Sequence, residues 1–171
     1  EIYGDSPTDW EIIDVSTDIG CLSDRCVVKH ANLLWWLDIN GAVYRYGGGL
    51  PAKVGQKIAK YLQEINLAYK HLCCGASHKD SIYWSVPTYP STVNNLILEY
   101  RSDLDRWYVH DGNIAQFATI GDKLYGITND GVVLDMDSGT EDGETAIQWE
   151  AITKPFHDLS IKAKKSLRAL Y

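Results

Sequence analysis

The sequence predicts a mainly β protein: a partial β-propeller of about three blade-like antiparallel units with one inserted amphipathic helix. Three observations lead to this prediction. Strand-length apolar segments recur along the chain, turn dipeptides separate them, and one segment between the first two units has a helical period. With 171 residues, the chain is long enough for a domain with its own core.

The first unit covers residues 27–46, which read VVKHANLLWWLDINGAVYRY. Two turns, at Ala31-Asn32 and Asn40-Gly41, divide it into three apolar segments. An Asn-Gly pair between apolar runs indicates a hairpin, because the tightest hairpin turns require positive φ. This unit is therefore predicted to be three antiparallel strands.

Side chains alternate between the two faces of a strand, and this alternation assigns a direction to each residue of the first unit. It predicts that Leu34, Trp36 and Tyr44 lie in the core. It directs Trp35 the other way, toward a neighbouring unit or solvent. We expect Trp35 to pack against a neighbouring unit, and the alternative is that it forms a platform for stacking sugars.

The segment Lys53–Leu72 has the period of a helix. Its apolar residues recur at spacings of three and four: Ile58, Tyr61, Leu62, Ile65, Tyr69 and Leu72. This pattern predicts an amphipathic helix of about four or five turns between the first two units. We expect such a helix to cover a sheet edge or to contact a partner.

The second and third units follow the same order of strands and turns. The second begins at Ala76 and contains a longer loop at 88–95, and the third, at 117–136, reads FATIGDKLYGITNDGVVLDM. Their predicted turns lie at Lys79-Asp80, 103–106, Gly121-Asp122 and Asp130-Gly131. The second strands align on Leu34, Ile82 and Leu124, at offsets of 48 and 42 residues. A period of about 40–50 residues with three or four strands is typical of propeller blades.

The chain divides into two regions by its sequence pattern. We assign residues 1–139 to the blade-like repeats, and 140–171 to final strands or to the start of a following β module. The second region contains IQWEAITKPF and an alternating apolar pattern from Leu159 to Tyr171. Because the sequence lacks an initial Met and begins within a strand pattern, we expect it to be a piece of a longer polypeptide.

Charge and composition exclude several classes of function. The formal net charge is −7, which disfavours a broad surface for binding nucleic-acid phosphates. The basic residues from Lys154 onward are interpreted as a solvated strand face. No apolar run approaches the roughly 18 residues that span a bilayer. The four cysteines are expected to be free thiols in a reducing compartment.

Residue types that perform catalysis or hold metals occur without the required spacing. The five His residues include no i, i+4 pair, and the adjacent Cys73 and Cys74 are hard to direct at one zinc ion. The acidic loop at 135–144 lacks the Gly position of a calcium loop. No nucleophile elbow or phosphate-binding loop is present. The sequence therefore predicts no enzyme, no cofactor and no metal.

Residues 19–28, IGCLSDRCVV, and the following LLWWLDINGAVYRYGGGLPAKVG resemble a segment of virion proteins from tailed bacteriophages and prophages. The segments IYGDSP at 2–7, EIN at 64–66 and NNLILEY at 94–100 share this resemblance, as does Trp107. The chain departs from it at Cys26, where those proteins commonly have Ser, and at Gly47-Gly48, where they commonly have Asp-Gly.

This resemblance implies a structural component of a phage tail, similar to hub or nozzle proteins that form rings around the DNA channel. The implied location is the virion, after synthesis in the bacterial cytoplasm. The implied partners are other copies of the chain and neighbouring tail proteins, without sequence-specific nucleic-acid binding. The acidic balance suits a wall past which DNA must slide without binding.

Four residues are predicted to contribute to an interface: Trp35, Tyr61, Ile65 and Tyr69. The first faces away from the predicted core, and the other three lie on the apolar face of the predicted helix. The alternative function is a host-receptor or carbohydrate-binding propeller module. It would use Trp35 together with the loop at 88–95.

Overall fold

The computed structural model describes residues 1–137, 141–142 and 145–146. The mainly β class is confirmed, because 45% of these residues lie in strands and 12% in helices. The chain forms two compact units, residues 1–138 and residues 139–171. The strands predicted within 147–171 lie outside the described residues.

The first unit begins with a small hairpin and a four-stranded sheet. The hairpin pairs β1 (Ile2–Tyr3) with β2 (Glu11–Ile12). A 3-10 turn at Asp24–Cys26 follows. The first sheet is an antiparallel meander of β3 (Val28–His30), β4 (Leu33–Asp38), β5 (Ala42–Tyr46) and β6 (Ala52–Val54).

Two further sheets follow in the same meander order. The second sheet contains β7 (Cys74–His78), β8 (Ser81–Val86), β9 (Leu96–Arg101) and β10 (Arg106–Asp111). The third contains β11 (Ile114–Ile120), β12 (Lys123–Thr128) and β13 (Val133–Asp135). In the other compact unit, β14 (Glu141–Asp142) pairs with β15 (Thr145–Ala146). None of the four sheets of residues 1–138 closes into a barrel.

The predicted repeat spacing is confirmed. The second strands of the three sheets, β4, β8 and β12, each have six residues and begin at Leu33, Ser81 and Lys123. These starting positions reproduce the offsets of 48 and 42 residues that the sequence predicts. Each residue of one second strand therefore has an equivalent in the next two.

The turns lie where the sequence places them, and several require unusual backbone angles. The first turns of the three units contain Ala31 and Asn32 at φ 49° and 61°, Lys79 at 50°, and Gly121 at 59°. Gly41 and Gly131 have φ of 67° and 82° in the second turns. Left-handed residues match the right-handed twist of paired strands, which is why these short turns form hairpins.

The predicted helix over Lys53–Leu72 is wrong in its length. Lys53 belongs to β6, and the helical residues form three short segments: 3-10 turns at Gln56–Ile58 and Leu67–Leu72, and α1 (Ala59–Gln63). The chain leaves the helix because Ile65 forms a β-bridge with Thr88 and Asn66 N–H donates to Pro87 O at 2.8 Å. Asn66 then caps the second 3-10 turn through its side chain.

Successive sheets pack face to face through two apolar layers. The first layer lies between the first and second sheets, and its larger buried members include Trp35, Leu37, Val43, Ile82, Trp84, Leu98 and Tyr100. Ile58, Leu62 and Ile65 from the helical segment complete it. The second layer lies between the second and third sheets and contains Cys74, Ile97, Ile114, Phe117 and Leu124. The first strands β3, β7 and β11 bring the successive sheets closest together.

The prediction that Leu34, Trp36 and Tyr44 are core residues is wrong. Leu34 is 43% exposed, and Trp36 and Tyr44 are only half-buried. The opposite face of β4, with Trp35 and Leu37, is the one that the second sheet covers. Alternation separated the two faces correctly, but in a sheet with two apolar faces it does not say which one is covered.

Candidate functional site

The face of the first sheet that points away from the second sheet is a candidate interaction surface. We call it the open face, and its exposed or half-buried side chains are Lys29, Leu34, Trp36, Tyr44, Tyr46 and Lys53. Leu34 corresponds by the repeat to Ile82, which is fully buried, and to Leu124, which is 1% exposed. A preceding sheet covers Ile82 and Leu124, whereas no sheet of the described residues covers Leu34.

The aromatic side chains of the open face are held by local contacts. Trp36 stacks on Tyr44 with ring centroids 5.9 Å apart, and its indole N–H donates to Gly20 O at 3.0 Å. The hydroxyl of Tyr46 donates to the carboxylate of Glu1. These contacts hold the aromatic rings in place and leave apolar surface around Leu34 accessible.

The opposite end of the stack, on the third sheet, also carries accessible apolar residues. Val133 and Ile120 are 62% and 68% exposed, and Tyr125 and Ile127 are half-buried. Tyr125 and Ile127 are on the face of β12 opposite Leu124, which packs in the second layer. The three sheets therefore present one uncovered apolar face at each end among the described residues.

Of the predicted interface residues, Trp35 lies inside the protein. It is 3% exposed and packs between the first two sheets, with its ring centroid 5.1 Å from that of Tyr100. The guanidinium of Arg45 lies 5.9 Å from the same ring. A carbohydrate has no access to a ring covered in this way, so no observation favours the sugar-binding alternative at Trp35.

The other three predicted interface residues belong to the helical segment. Ile65 is 7% exposed and packs in the first layer, and Tyr61 is half-buried against it. Tyr69 is half-buried, with its ring 6.3 Å from that of His71. The structure does not bring these three together with Trp35 on one accessible surface. Tyr61 and Tyr69 remain available for a predicted partner contact.

A joint between the sheets forms at residues 23–26, just before β3. The Arg25 guanidinium donates to Gln116 Oε1 on the third sheet at 3.1 Å and to His71 O at 2.8 Å. The carbonyl of Cys26 accepts a 2.9 Å hydrogen bond from Trp84 Nε1 on the second sheet. We call residues 23–26 the joint, because this short turn contacts residues of both following sheets.

Sequence reasoning missed the joint because its partners are 46 to 91 residues away along the chain. No periodic pattern marks polar contacts of this kind. The one available signal was the Ser-x-x-Cys spacing of Ser23 and Cys26. Ser23 caps the turn by accepting from the Arg25 N–H, as expected for Ser at a helical N-terminus.

A polar cleft of about 210 Å³ lies between the second and third sheets. His78 Nε2 is 2.7 Å from Asp137 Oδ2, an ion-pair distance with poor hydrogen-bond geometry, and Lys79 Nζ is 3.3 Å from the same oxygen. Glu99 accepts a 2.7 Å hydrogen bond from Ser81 Oγ and lies 2.8 Å from His110 Nε2.

The carboxyl groups of this cleft are held in their ionised form. Burial alone would raise the pKa of Asp137, but the Leu124 N–H, Lys79 and His78 outweigh it, and the net shift is downward. Burial likewise opposes ionisation of Glu99, but hydrogen bonds from His110 and Ser81 lower its pKa overall. These acids therefore act as fixed anions that attach the third sheet to the second.

The order of groups in the cleft does not match a catalytic triad. A triad places the imidazole between the hydroxyl and the carboxylate, so that the imidazole can accept the hydroxyl proton. Here Glu99 stands between Ser81 and His110. Within the described residues, no group of three or more His, Cys, Asp or Glu side chains is arranged to hold a metal ion.

A second cleft, of about 330 Å³, lies beside the turn between β4 and β5. Asp38 lines it together with Leu62 and Ile65. The Asp38 carboxylate is 2% exposed and accepts hydrogen bonds of 2.9 Å from the N–H groups of Gly20 and Asn40. Asp is favoured in turns for such bonds to the backbone, which gives Asp38 a structural role.

Comparison with known proteins leaves the fold and the geometry as the basis for function. No protein-family model matches the chain, and no curated protein matches it. Among the residues described, no helix has the length and apolar character needed to cross a bilayer.

Proposed function

We propose that the chain forms three consecutive blades of a β-propeller and serves as a non-catalytic structural component of a bacteriophage tail, of the hub or nozzle type. The observation that carries this proposal is the repeated burial pattern. Equivalent positions Ile82 and Leu124 are buried by the preceding sheet, while Leu34 is 43% exposed on the open face. In a propeller, another blade would cover that face.

The meander order of the three sheets and the close approach of their first strands support this architecture. Propeller blades are small antiparallel sheets arranged around a central channel. The sequence resemblance at 19–49 supports the tail assignment, and the net charge of −7 suits a channel wall that repels DNA. The partners are other copies of the chain and neighbouring tail proteins in the virion.

The location in the tail is tested by immunogold electron microscopy. We expect antibodies raised against the chain to label the tails of phage particles released by the bacterium that carries its gene. Antibodies against a capsid protein, which should label only the heads, provide the control. Intact particles that carry capsid label but none of the tail label would refute the tail assignment.

The blade-like role of the open face is tested by Leu34→Lys. We expect the purified chain to self-associate through its uncovered faces, and the charge to weaken that association by about 10–100-fold, because a buried Leu contributes about 1.5–3 kcal/mol. Sedimentation velocity over a range of concentrations measures the change.

The matched control is Leu104→Lys. Leu104 is 49% exposed, similar to Leu34, but it lies in the turn between β9 and β10, away from both end faces. We expect this variant to associate like the unmodified chain, with both variants unfolding at the same temperature. Equal association by the two variants, or a chain that stays monomeric at every concentration, would contradict the proposed packing.

A further inference from the structure

Two thiols of the first unit lie next to each other at the joint. Cys21 Sγ is 3.4 Å from Cys26 Sγ, and both cysteines are reduced. Cys21 is exposed at the surface, whereas Cys26 is fully buried. A reagent in solution therefore reaches one sulfur directly, while the second waits behind it.

Both sulfurs are held in place by the same backbone carbonyl. Cys21 Sγ donates to Ser23 O at 2.7 Å, and Cys26 Sγ donates to it at 2.9 Å. A disulfide has an S–S length of about 2.05 Å, so the sulfurs need to approach by only about 1.4 Å. The residues between them form a short turn at the surface, which can adjust by this amount.

We propose that Cys21 and Cys26 are a redox-sensitive pair that forms a reversible disulfide when the protein meets a peroxide. The inference does not depend on the proposed function, because it rests on the sulfur geometry alone. The Cys21 thiolate attacks one peroxide oxygen, which breaks the O–O bond and gives a sulfenic acid and hydroxide. Cys26 then attacks Cys21 Sγ and displaces the second hydroxide. Two thiols lose two electrons and two protons, and the peroxide is reduced to two waters.

The environment of Cys21 makes this reaction slow at neutral pH. Burial, followed by the neighbouring Cys26 thiol, raises the pKa of Cys21 to about 12; Asp24 adds to the shift, and Ser23 opposes it. Because the thiolate is the reactive form, oxidation accelerates in alkaline buffer. The pair therefore responds to sustained oxidation and ignores brief exposure.

The other two cysteines do not share this arrangement. Cys73 and Cys74 are fully buried, and burial raises their pKa values to about 12 and 11. They are therefore shielded from a peroxide in solution. Oxidation is directed to the one thiol at the surface, Cys21, and to its neighbour.

The disulfide would act on the joint. Cys26 O accepts from Trp84 of the second sheet, and Arg25, which lies between the two cysteines, reaches Gln116 of the third. Closing a covalent ring over residues 21–26 restricts this turn in the unfolded chain and fixes it in the folded one. We therefore expect oxidation to raise the temperature at which the three sheets unfold, by a few degrees.

The sequence offers a direct assay for the bond. Trypsin cleaves after Arg25, and no Lys or Arg precedes it, so Cys21 lies in peptide 1–25 and Cys26 in peptide 26–29. Cys73 and Cys74 share peptide 71–79. The full chain is treated with hydrogen peroxide in mildly alkaline buffer, the remaining thiols are alkylated, and the digest is analysed by mass spectrometry. We expect peptides 1–25 and 26–29 to be joined, and a reductant added before alkylation to separate them.

Three variants complete the experiment. Cys21→Ser, at a surface position, should abolish the joined peptide and the increase in unfolding temperature without harming the fold. Cys73→Ser and Cys74→Ser should retain both. A digest in which Cys21 is oxidised to sulfinic acid without joining, or is joined instead to peptide 71–79, would overturn the proposal.

Discussion

Replacing Trp84 by Ala is expected to destabilise the protein by about 3–5 kcal/mol, as for other large aromatic side chains removed from a core. Trp84 is fully buried between the first and second sheets and stacks on Trp107 at 6.0 Å. Because small domains have a total stability of about 5–15 kcal/mol, this loss removes a large part of it. Urea unfolding followed by far-ultraviolet circular dichroism measures the change.

Part of the loss belongs to a single hydrogen bond, and Trp84→Phe isolates it. This variant keeps an aromatic ring in the layer but removes the N–H that donates to Cys26 O at 2.9 Å. A buried carbonyl left without a partner costs about 1–3 kcal/mol. We expect the Phe variant to lie between the Ala variant and the unmodified protein, and the joint to loosen from the second sheet.

Trp36→Ala is the matched control, because Trp36 is the equivalent residue of the first sheet. It also donates its indole N–H to a carbonyl, that of Gly20, but it lies half-buried on the open face. We expect a loss of about 1 kcal/mol or less, typical of sites outside the core. If Trp36→Ala and Trp84→Ala destabilise the protein equally, the open face is covered and the assignment of the two layers is wrong.

The contrast between Trp36 and Trp84 shows what the sequence can and cannot predict. Strand positions, turn positions and the offsets of 48 and 42 residues depend on local alternation and on turn residues, and all of them could be predicted. Which face of the first sheet is covered depends on a neighbouring sheet about 48 residues away. The alternation of Leu34, Trp35 and Trp36 contains no information about that neighbour.

The helical segment illustrates a second limit. The apolar spacing from Ile58 to Ile65 predicts the buried residues correctly, since Ile58, Leu62 and Ile65 all pack in the first layer. The predicted continuation to Leu72 fails because the chain at Ile65 and Asn66 pairs with the loop after β8. Tertiary pairing outweighs the modest helix propensity of these residues.

The polar contacts of the candidate site are the least predictable from sequence. The joint at Arg25 and the cleft around Glu99 and Asp137 connect residues on different sheets, and each residue alone resembles an ordinary surface residue. The cysteine pair is different, because Cys21 and Cys26 are close in sequence. Even so, only the turn geometry reveals that their sulfurs meet.

Asn94→Ala is expected to destabilise the protein by about 2–3 kcal/mol, because a buried polar contact between the sheets is lost. Asn94 is fully buried, and its Nδ2 donates to Leu72 O and to Ile114 O, each at 2.9 Å. Ile114 O retains a second hydrogen bond from Ser85 Oγ, so the main cost falls on Leu72 O. Urea unfolding again provides the measurement.

Two further variants show whether hydrogen bonding by Asn94 or merely its shape is responsible. Asn94→Asp keeps the size but replaces the N–H donor with a buried carboxylate facing two carbonyls, so we expect a larger loss, roughly 3–5 kcal/mol. Asn95→Ala removes a neighbouring exposed amide that bonds only to Thr88 across the same loop, and about 1 kcal/mol or less should be lost. An Asp variant as stable as the unmodified protein would show that the donor at position 94 does not connect the second and third sheets.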